Sequence, residues 1–293
     1  MLWIALTLAA APLQVARNAF KRSLLDDAGP WGATLTRFLF GLPFALVMLA
    51  VAVTLTRGAD PHFSPHFFIA VAVGALGQVL ATAALLVAMR RAGFAVATVM
   101  QQSSLPFAAI GGWALFGDRL SGVATAGILL TTVGLAILNW PRPGQFRGAS
   151  PGIALGLGSG MAFAVALNGF RQAGLALEPH HPIYAGIVGV CVAQALQTIG
   201  LISLLLLAQP AALAAVMRGW RASLGAGFFG AAASACWFGA LTLAPAGAVR
   251  AVGVVEAPIA AAAGRRLFKE SLTVRQLAGG ALAAAGVAMT ALG

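Results

Sequence analysis

The stretch LFGDRL at residues 115–120 has a second copy, LFKESL, at residues 267–272. At one constant offset the similarity continues on both sides of this motif. The matching pairs are Pro106 with Pro258, Phe116 with Phe268, Asp118 with Glu270, Leu120 with Leu272, Gly127 with Gly279 and Gly134 with Gly286. Near the start of each half, VARNAFKR at 15–22 corresponds to VALNGFRQ at 165–172. The chain is therefore a tandem duplication, and such internal repeats determine the architecture.

The composition places both copies in a membrane. Of the 293 residues, 60% are hydrophobic and only 9% are charged, and the mean hydropathy is +0.92. An ordinary soluble domain has about 25% charged residues. A bilayer accommodates the apolar surface if each span satisfies its own backbone hydrogen bonds, which a helix of about 20 residues does. We therefore expect an all-α integral membrane protein.

Apolar runs separated by charges, prolines and turn residues predict ten spans. They cover approximately residues 2–20, 31–56, 66–88, 94–116, 121–140, 150–170, 182–207, 222–243, 247–268 and 273–292. The sequence divides into a first five-helix repeat at 1–140, a linker at 141–149 and a second five-helix repeat at 150–293. Since each half has an odd number of spans, the second half enters the membrane in the opposite orientation, which predicts an inverted repeat.

The distribution of Lys and Arg predicts the orientation. Most of these residues lie in the connections after odd-numbered spans, and an excess of positive charge marks the cytoplasmic side. Both termini are therefore expected outside. The first span could instead be a signal peptide, but no positive charge precedes it and the polar residues Gln14, Arg17 and Asn18 interrupt it, which argues against cleavage.

The net charge of +11 does not indicate nucleic-acid binding. The positive charges are scattered over short connections, with no basic stripe and no soluble domain to present them. We interpret them as orientation signals and as contacts with anionic lipid headgroups. The expected partners are thus the lipid bilayer and a small-molecule substrate, with no nucleic acid, and a monomer is compatible with the sequence.

Small residues recur at intervals of three or four residues in two predicted spans. Gly152, Gly156 and Gly160 form one such ladder, and a second contains Gly279, Ala283 and Gly286. Within a membrane, helices associate by close backbone approach, so these ladders predict helix–helix contact faces.

Polar residues inside the apolar runs are the candidate substrate-binding residues, because polar groups at membrane depth face a cavity or another polar group. The candidates are Gln14, Asn18, Gln78, Gln101, Asn168, Gln194, Trp237 and Arg250. Gln14, Arg17, Asn18 and Lys21 share one helical face through their spacing. The alternatives are hydrogen bonds between helices for the amides, packing for Trp237, and snorkelling to the membrane surface for Arg17 and Lys21.

Glu256 is the carboxylate placed well inside a predicted span. A titratable acid at membrane depth is a natural coupling site for a proton antiporter, so we consider Glu256 a candidate coupling residue. Its alternative role is architectural. Asp118 and Glu270 lie at span ends, where pairing with cations is expected. Pro106 and Pro258 interrupt helical hydrogen bonding and are candidate hinges or simple kinks.

The remaining reactive residue types do not predict an enzyme or a metal site. The histidines, His62, His66, His180 and His181, follow the second and sixth spans, with no cysteine beside them to complete a zinc site. Cys191 and Cys236 lie within spans and are expected to be reduced packing residues. We find no nucleophile with a base and no paired carboxylates at membrane depth. The sequence contains no phosphate-binding glycine loop followed by Lys and Ser/Thr, which argues against a pump that hydrolyses ATP itself. No cofactor is expected.

Four features occur together in this chain: ten spans, an inverted duplication, a proline near the middle of the fourth span of each half, and the motif L-F-x-[DE]-x-L where that span ends. In this combination the chain resembles the EamA-type families of the drug/metabolite transporter superfamily. The resemblance covers essentially the whole chain. It implies two inverted five-helix repeats around a central cavity. Arg37 also matches a common family position, which makes it a further candidate for substrate binding, although the second half has no basic residue at the corresponding stretch.

The resemblance implies a secondary transporter that works by alternating access in the cytoplasmic (inner) membrane. Characterised relatives mostly export amino acids and similar metabolites, and export is the implied direction here. The amides, several cations and one acid suit a zwitterion or an organic anion better than a cation, which would need more carboxylates. The alternative function is a flippase for a lipid-linked or hydrophobic drug-like substrate.

Overall fold

The structure, a computed structural model, describes residues 1–21, 25–138, 140, 150–256 and 273–293, and the regular elements of these residues are helices. The first helices are α1 (Leu2–Lys21), α2 (Leu25–Leu39), α3 (Leu42–Leu55), α4 (Pro65–Gln101), α5 (Ser104–Phe116) and α6 (Gly122–Leu138). They are followed by α7 (Ser150–Leu177), α8 (Pro182–Ala208), α9 (Pro210–Arg218), α10 (Trp220–Leu243), α11 (Ala246–Val252), a 3₁₀ turn (Gly253–Val255) and α12 (Val274–Leu292).

Five helical segments are long and apolar enough to cross a membrane. They are Gly29–Leu55, Pro65–Gly93, Ser150–Leu177, Pro182–Ala208 and Ser223–Leu243, with 21 to 29 residues each. Shorter apolar helices cover Leu2–Arg17, Gly122–Leu138, Ala246–Val255 and Leu277–Leu292. The protein is therefore a multi-pass membrane protein, as the composition predicts.

Several predicted spans are divided or extended in the structure. The span at 31–56 consists of α2 and α3, with Gly41 at the junction. Helix α4 continues through the connection expected near residue 90 and bends at Gly93, whose φ of 79° favours glycine. The span at 94–116 is interrupted between α4 and α5, and α7 continues beyond residue 170 to Leu177. Helix α9 lies in a connection where the sequence predicts no helix.

The first copy of the repeated motif ends helix α5. Gly117 adopts a left-handed conformation, with φ 69° and ψ 18°. Its N–H donates to the carbonyl of Trp113 at 3.2 Å, and the Asp118 N–H donates to the carbonyl of Gly112 at 3.0 Å. The Gly117 bond, made by a left-handed glycine, is an αL C-cap, and the two bonds satisfy carbonyls that the helix end would otherwise leave unpaired. The second copy, at 267–272, lies outside the described residues.

The chain forms two compact units, each assembled from both halves of the sequence. The first unit comprises Met1–Val79 and Gly169–Leu243. Its core contains Leu35, Phe38, Leu201, Leu205 and Val216, all at most 3% exposed. Close backbone contacts join its helices: a Cβ at Gly186 of α8 would lie 2.9 Å from the Gly239 Cα of α10. The two-repeat organisation at 1–140 and 150–293 stays a prediction from the sequence.

The second unit comprises Leu80–Asn168 and Ala244–Gly293. Helices α6 and α12 pack along a seam of small residues, where a Cβ at Gly134 would lie 2.8 Å from both the Ala283 Cα and the Gly279 carbonyl oxygen. A Cβ at Gly152 of α7 would lie 2.9 Å from the Ala92 N, and one at Gly160 would lie 3.0 Å from the Ser104 N. The two ladders of small residues are thus contact faces, as predicted, because the missing side chains let the backbones approach.

Candidate functional site

In the first unit, α1 and α10 bring two predicted residues into contact. The indole Nε1 of Trp237 donates a hydrogen bond to Oε1 of Gln14 at 3.1 Å. Both side chains are half-buried. Asn18 lies one turn after Gln14 in the backbone of α1, but its side chain is outside the described part of the chain. Trp237 is therefore held by a polar partner as well as by packing.

Two arginines lie against the same glycine of α10. Arg17 is only 8% exposed, which places it inside the unit. The position that a Cβ of Gly230 would occupy is 3.3 Å from Cδ of Arg17 and 3.7 Å from Cγ of Arg37. The guanidinium of Arg37 also lies over the ring of Phe38, 5.2 Å from its centroid. Because Gly230 has no side chain, two cationic side chains fit beside it.

The amides of the first unit form a buried group on α8 and α4. Nε2 of Gln197 donates to Oε1 of Gln78 at 2.9 Å and to the carbonyl oxygen of Ala75 at 3.1 Å. Gln194, one turn earlier on α8, lies against Gly41. Gln78, Gln194 and Gln197 are at most 8% exposed. Part of the amide set thus makes hydrogen bonds between helices, the alternative that the sequence left open.

In the second unit, Arg250 is the charged residue of α11. Nη2 of Arg250 donates to Oε1 of Gln102 at 3.1 Å, and the guanidinium carbon lies 5.8 Å from the ring centroid of Phe163. The rest of α11 is buried. Glu256 is half-buried and close enough to attract the Arg250 cation electrostatically. The Arg250 guanidinium therefore interacts with Gln102, Phe163 and Glu256.

Asn168 holds α7 against α5 within the second unit. Its Nδ2 donates to the carbonyl oxygens of Ala108 and Ala164, each at 3.1 Å. Its Oδ1 lies 3.1 Å, and Oδ2 of Asp118 3.0 Å, from the position that a Cβ of Gly112 would take. Oδ2 of Asp118 and Oδ1 of Asn168 thus both lie beside Gly112. A side chain at Gly112 would disturb both oxygen atoms.

The remaining predicted residues are Gln101, the two prolines and Glu256. Gln101 is half-buried at the last position of α4. Pro106 lies in the first turn of α5, where its missing N–H has no intrahelical partner to lose. The interruption of the helix falls just before it. Pro258 lies outside the described residues, so its hinge role stays a prediction, as does the coupling role of Glu256.

Outside the spans, Glu178 joins two connections of the first unit. Its carboxylate accepts hydrogen bonds from the N–H of Asp60 at 2.8 Å and the N–H of His180 at 3.1 Å. Nδ1 of His181 lies 3.5 Å from it, and the N–H of His62 donates to the Leu177 carbonyl at 2.8 Å. The Asp60 N–H above all, with the His180 N–H and His181, lowers the pKa of Glu178 against the opposing effect of burial.

The sequence reasoning did not identify Glu178, Gln102, Phe163 or Thr198 as members of these groups. Gln102 follows Gln101 directly, and Thr198 shares a helical face with Gln194, so helix periodicity offered a signal for Thr198. The contacts of Glu178 and Phe163 join residues far apart in the chain, which periodicity does not detect.

The polar groups of the two units are suited to binding a ligand. Within the described residues, no three His, Cys, Asp or Glu side chains come together as metal ligands. Cys191 and Cys236 are free thiols in the structure. What the two units offer at membrane depth is a set of amide, hydroxyl, indole and guanidinium groups. Such groups recognise polar parts of a ligand by hydrogen bonding and charge.

The chain is similar to a known protein family and to a solved structure. Residues 1–140 match the model of the EamA-like transporter family. A solved structure described as "Crystal structure of protein" shares the fold with a TM-score of 0.71, at 17% sequence identity, over 99% of this chain and 98% of that chain. A comparison with curated proteins finds no match. The helical fold, the apolar spans and the family match over residues 1–140 support a membrane transporter of the EamA type, in the drug/metabolite transporter superfamily.

Proposed function

We propose that the protein is a secondary transporter of the cytoplasmic membrane that exports small metabolites, with amino acids, related zwitterions and organic anions as its substrate class. In this proposal ten spans form two inverted five-helix repeats. Their relative movement exposes a midplane site first to one side of the membrane and then to the other. The family match supports transport in general, and the residues of the second unit support the substrate class.

The environment of Arg250 carries the proposal for the substrate class. Nε of Arg250 is buried and has no hydrogen-bond partner among the described residues. The guanidinium is oriented by Gln102 and Phe163. A guanidinium recognises a planar carboxylate through neighbouring N–H donors, and an unpaired buried donor is costly. Arg250 is therefore suited to bind a carboxylate, the group that amino acids and organic anions share.

Counterflow in proteoliposomes tests this function. Vesicles containing the purified protein are loaded with unlabelled amino acids or small organic anions, and uptake of a radiolabelled trace of the same compound is followed. We expect uptake that depends on the internal compound. Arg250→Gln should lower counterflow by about tenfold or more, because a charge-assisted hydrogen bond is lost, and Arg250→Lys should retain an intermediate rate because it keeps the charge without the planar fork.

Arg221→Gln is the matched control. The guanidinium of Arg221 also lies over an aromatic ring, 5.3 Å from the centroid of Trp220, but its side chain is exposed. This variant should transport at the wild-type rate. Absence of counterflow across the panel, with the protein shown to be folded, would contradict the proposal. Lipid scrambling by the same vesicles would then favour the flippase.

A further inference from the structure

One face of α8 carries three buried oxygen atoms that lack a partner. They are Oε1 of Gln194, Oε1 of Gln197 and Oγ1 of Thr198, and within the described parts of the chain none of them has a hydrogen bond. The three side chains are 3%, 4% and 6% exposed. Their spacing of three and four residues places them on the same side of the helix. We call these three atoms the α8 oxygen face.

The orientation of the Gln197 amide is fixed by its other contacts. Nε2 donates to the backbone carbonyl of Ala75 and to Oε1 of Gln78. If the amide were rotated by half a turn, Oε1 would face a carbonyl oxygen, and two acceptors would oppose each other. Oε1 of Gln197 is therefore directed away from α4 and remains available as an acceptor.

Thr198 differs from every other buried threonine of the described residues. The hydroxyls of these other threonines donate to the carbonyl four residues earlier; they are Thr7, Thr34, Thr36, Thr131, Thr242 and Thr290. That local bond is the usual way to satisfy a hydroxyl within an apolar helix. Because Thr198 does not form it, its hydroxyl is available to a group that does not belong to α8.

Space beside Gln194 is provided by a glycine. A Cβ at Gly41 would lie 3.0 Å from Oε1 and 3.2 Å from Nε2 of Gln194, so any larger residue there would displace the amide. Helix α8 itself contains no charged residue. The α8 oxygen face thus offers three acceptor atoms on a helix without charge, which suits a group that donates hydrogen bonds.

We propose that the α8 oxygen face binds the primary ammonium group of a transported amine. A primary ammonium has three N–H donors and no acceptor, which matches three acceptor oxygens without leaving a donor unpaired. The inference rests on the proposed transport function and specifies it further, since it requires a substrate with an amino group. It concerns the first unit alone.

Thermal unfolding of the purified full-length protein measures this binding without transport. One series of samples contains a mixture of neutral L-amino acids, and the other contains the corresponding 2-hydroxy acids, which replace the ammonium by a hydroxyl. We expect the amino acids to raise the unfolding temperature at an at least about tenfold lower concentration. The hydroxyl supplies one donor where the ammonium supplies three, and a site built for hydrogen bonding strongly rejects an analogue that leaves its acceptors unpaired. Equal stabilisation by the two mixtures would overturn the proposal.

Substitutions locate the effect. Thr198→Val preserves shape and removes the hydroxyl, and Gln194→Leu removes the amide, so both should reduce the preference for amino acids to about threefold or less. Thr242→Val is the matched control, because Thr242 is equally buried but donates to the Phe238 carbonyl of its own helix. A preference that Thr198→Val leaves unchanged would overturn the proposal even if Gln194→Leu fails to fold.

Counterflow with the same compound pairs separates this inference from the proposed function. Wild-type counterflow with equal rates for amino and hydroxy acids would overturn the ammonium site and leave transport standing. Preferential binding of amino acids without any counterflow would overturn transport and leave the ammonium site standing. Faster counterflow of amino acids, reduced selectively by Thr198→Val, would support both.

Discussion

Glu178 shows how one carboxylate connects distant parts of the chain outside the membrane. The N–H groups that it accepts come from Asp60, in the connection after α3, and from His180, in its own connection. Hydrogen bonds to a carboxylate favour its charged form, so they stabilise the folded protein only while Glu178 is ionised. The neighbouring His181 adds a favourable charge when protonated. The stability of this contact therefore depends on pH.

Because the pKa of Glu178 is lowered in the folded protein, its contribution to stability is present above the ordinary glutamate pKa of about 4.3 and is lost as the pH falls towards the lower folded value. Glu178→Gln should thus lower the unfolding temperature at pH 7, and the difference from the wild type should shrink in strong acid. Thermal unfolding of the detergent-solubilised protein across pH measures this. Asp60→Asn is the control, since Asp60 contributes its backbone N–H; a similar pH-dependent loss in that variant would contradict the assignment.

For single residues, the sequence identifies the polar side chains within the spans more reliably than it identifies the partners that they contact. Gln78, Gln194 and Arg250 stand out because polar groups are rare in apolar runs. Their contacts depend on which helices become neighbours, and Gln78 and Gln197 are far apart in the chain. Glu178 gives no signal, because an acidic residue in a connection is ordinary.

Among the helices, α6 and α12 approach each other closely because the glycines at their seam have no side chains. Backbone lies against backbone at Gly127, Gly134, Gly279 and Gly286. In lipid such close contact gives dispersion and Cα–H···O interactions that larger residues would prevent. The seam is built from equivalent positions of the repeat, and across it Gly127 meets Gly286 and Gly134 meets Gly279.

Gly134→Ala should destabilise the protein by about 1–3 kcal/mol, because the added methyl group would overlap the backbone of α12 at Ala283 and Gly279. Gly122→Ala in the same helix is the control, since nothing lies within 4 Å of the Cβ it would add. Unfolding temperatures of the two variants in one detergent test the difference. Equal stability would show that the seam opens without cost.

The positions of the apolar segments could be predicted from the sequence, whereas the interruptions within them could not. A proline suggested a break at 106, whereas the structure ends α4 at Gln101 and begins α5 at Ser104. A proline in a first turn costs nothing, so the break falls before it. Helix α9 was missed because Pro210–Arg218 is short and follows a longer apolar run. Its Val216 packs into the core of the first unit, which supplies the stability that the short segment lacks by itself.

For the whole molecule, the positive-inside rule gives an orientation that can be measured. The connections containing His62 and Glu178 lie together through their backbone contacts, so they share one side of the membrane. The charge distribution predicts that this side is external and that the region of Arg90 and Arg91 is cytoplasmic.

Single cysteines in a variant without Cys191 and Cys236 test this orientation. At Asp60 and Arg91, which are both exposed, a membrane-impermeant maleimide added to intact cells should label only the cysteine at 60. The cysteine at 91 should react only after the membrane is opened. The reverse pattern would contradict the predicted orientation and place both termini in the cytoplasm.

The composition of the two compact units has a consequence for biogenesis. The first unit needs residues up to Leu243, and the second needs the last helix, Val274–Leu292. A ribosome inserting this chain from the N-terminus therefore releases α1 to α6 before either unit can close. During that interval Gln78 lies in the bilayer without Gln197, its later partner. Helices α1 to α6 must therefore remain in lipid or beside the insertion machinery until their partners are inserted. Folding is completed only after nearly the whole chain has been synthesised.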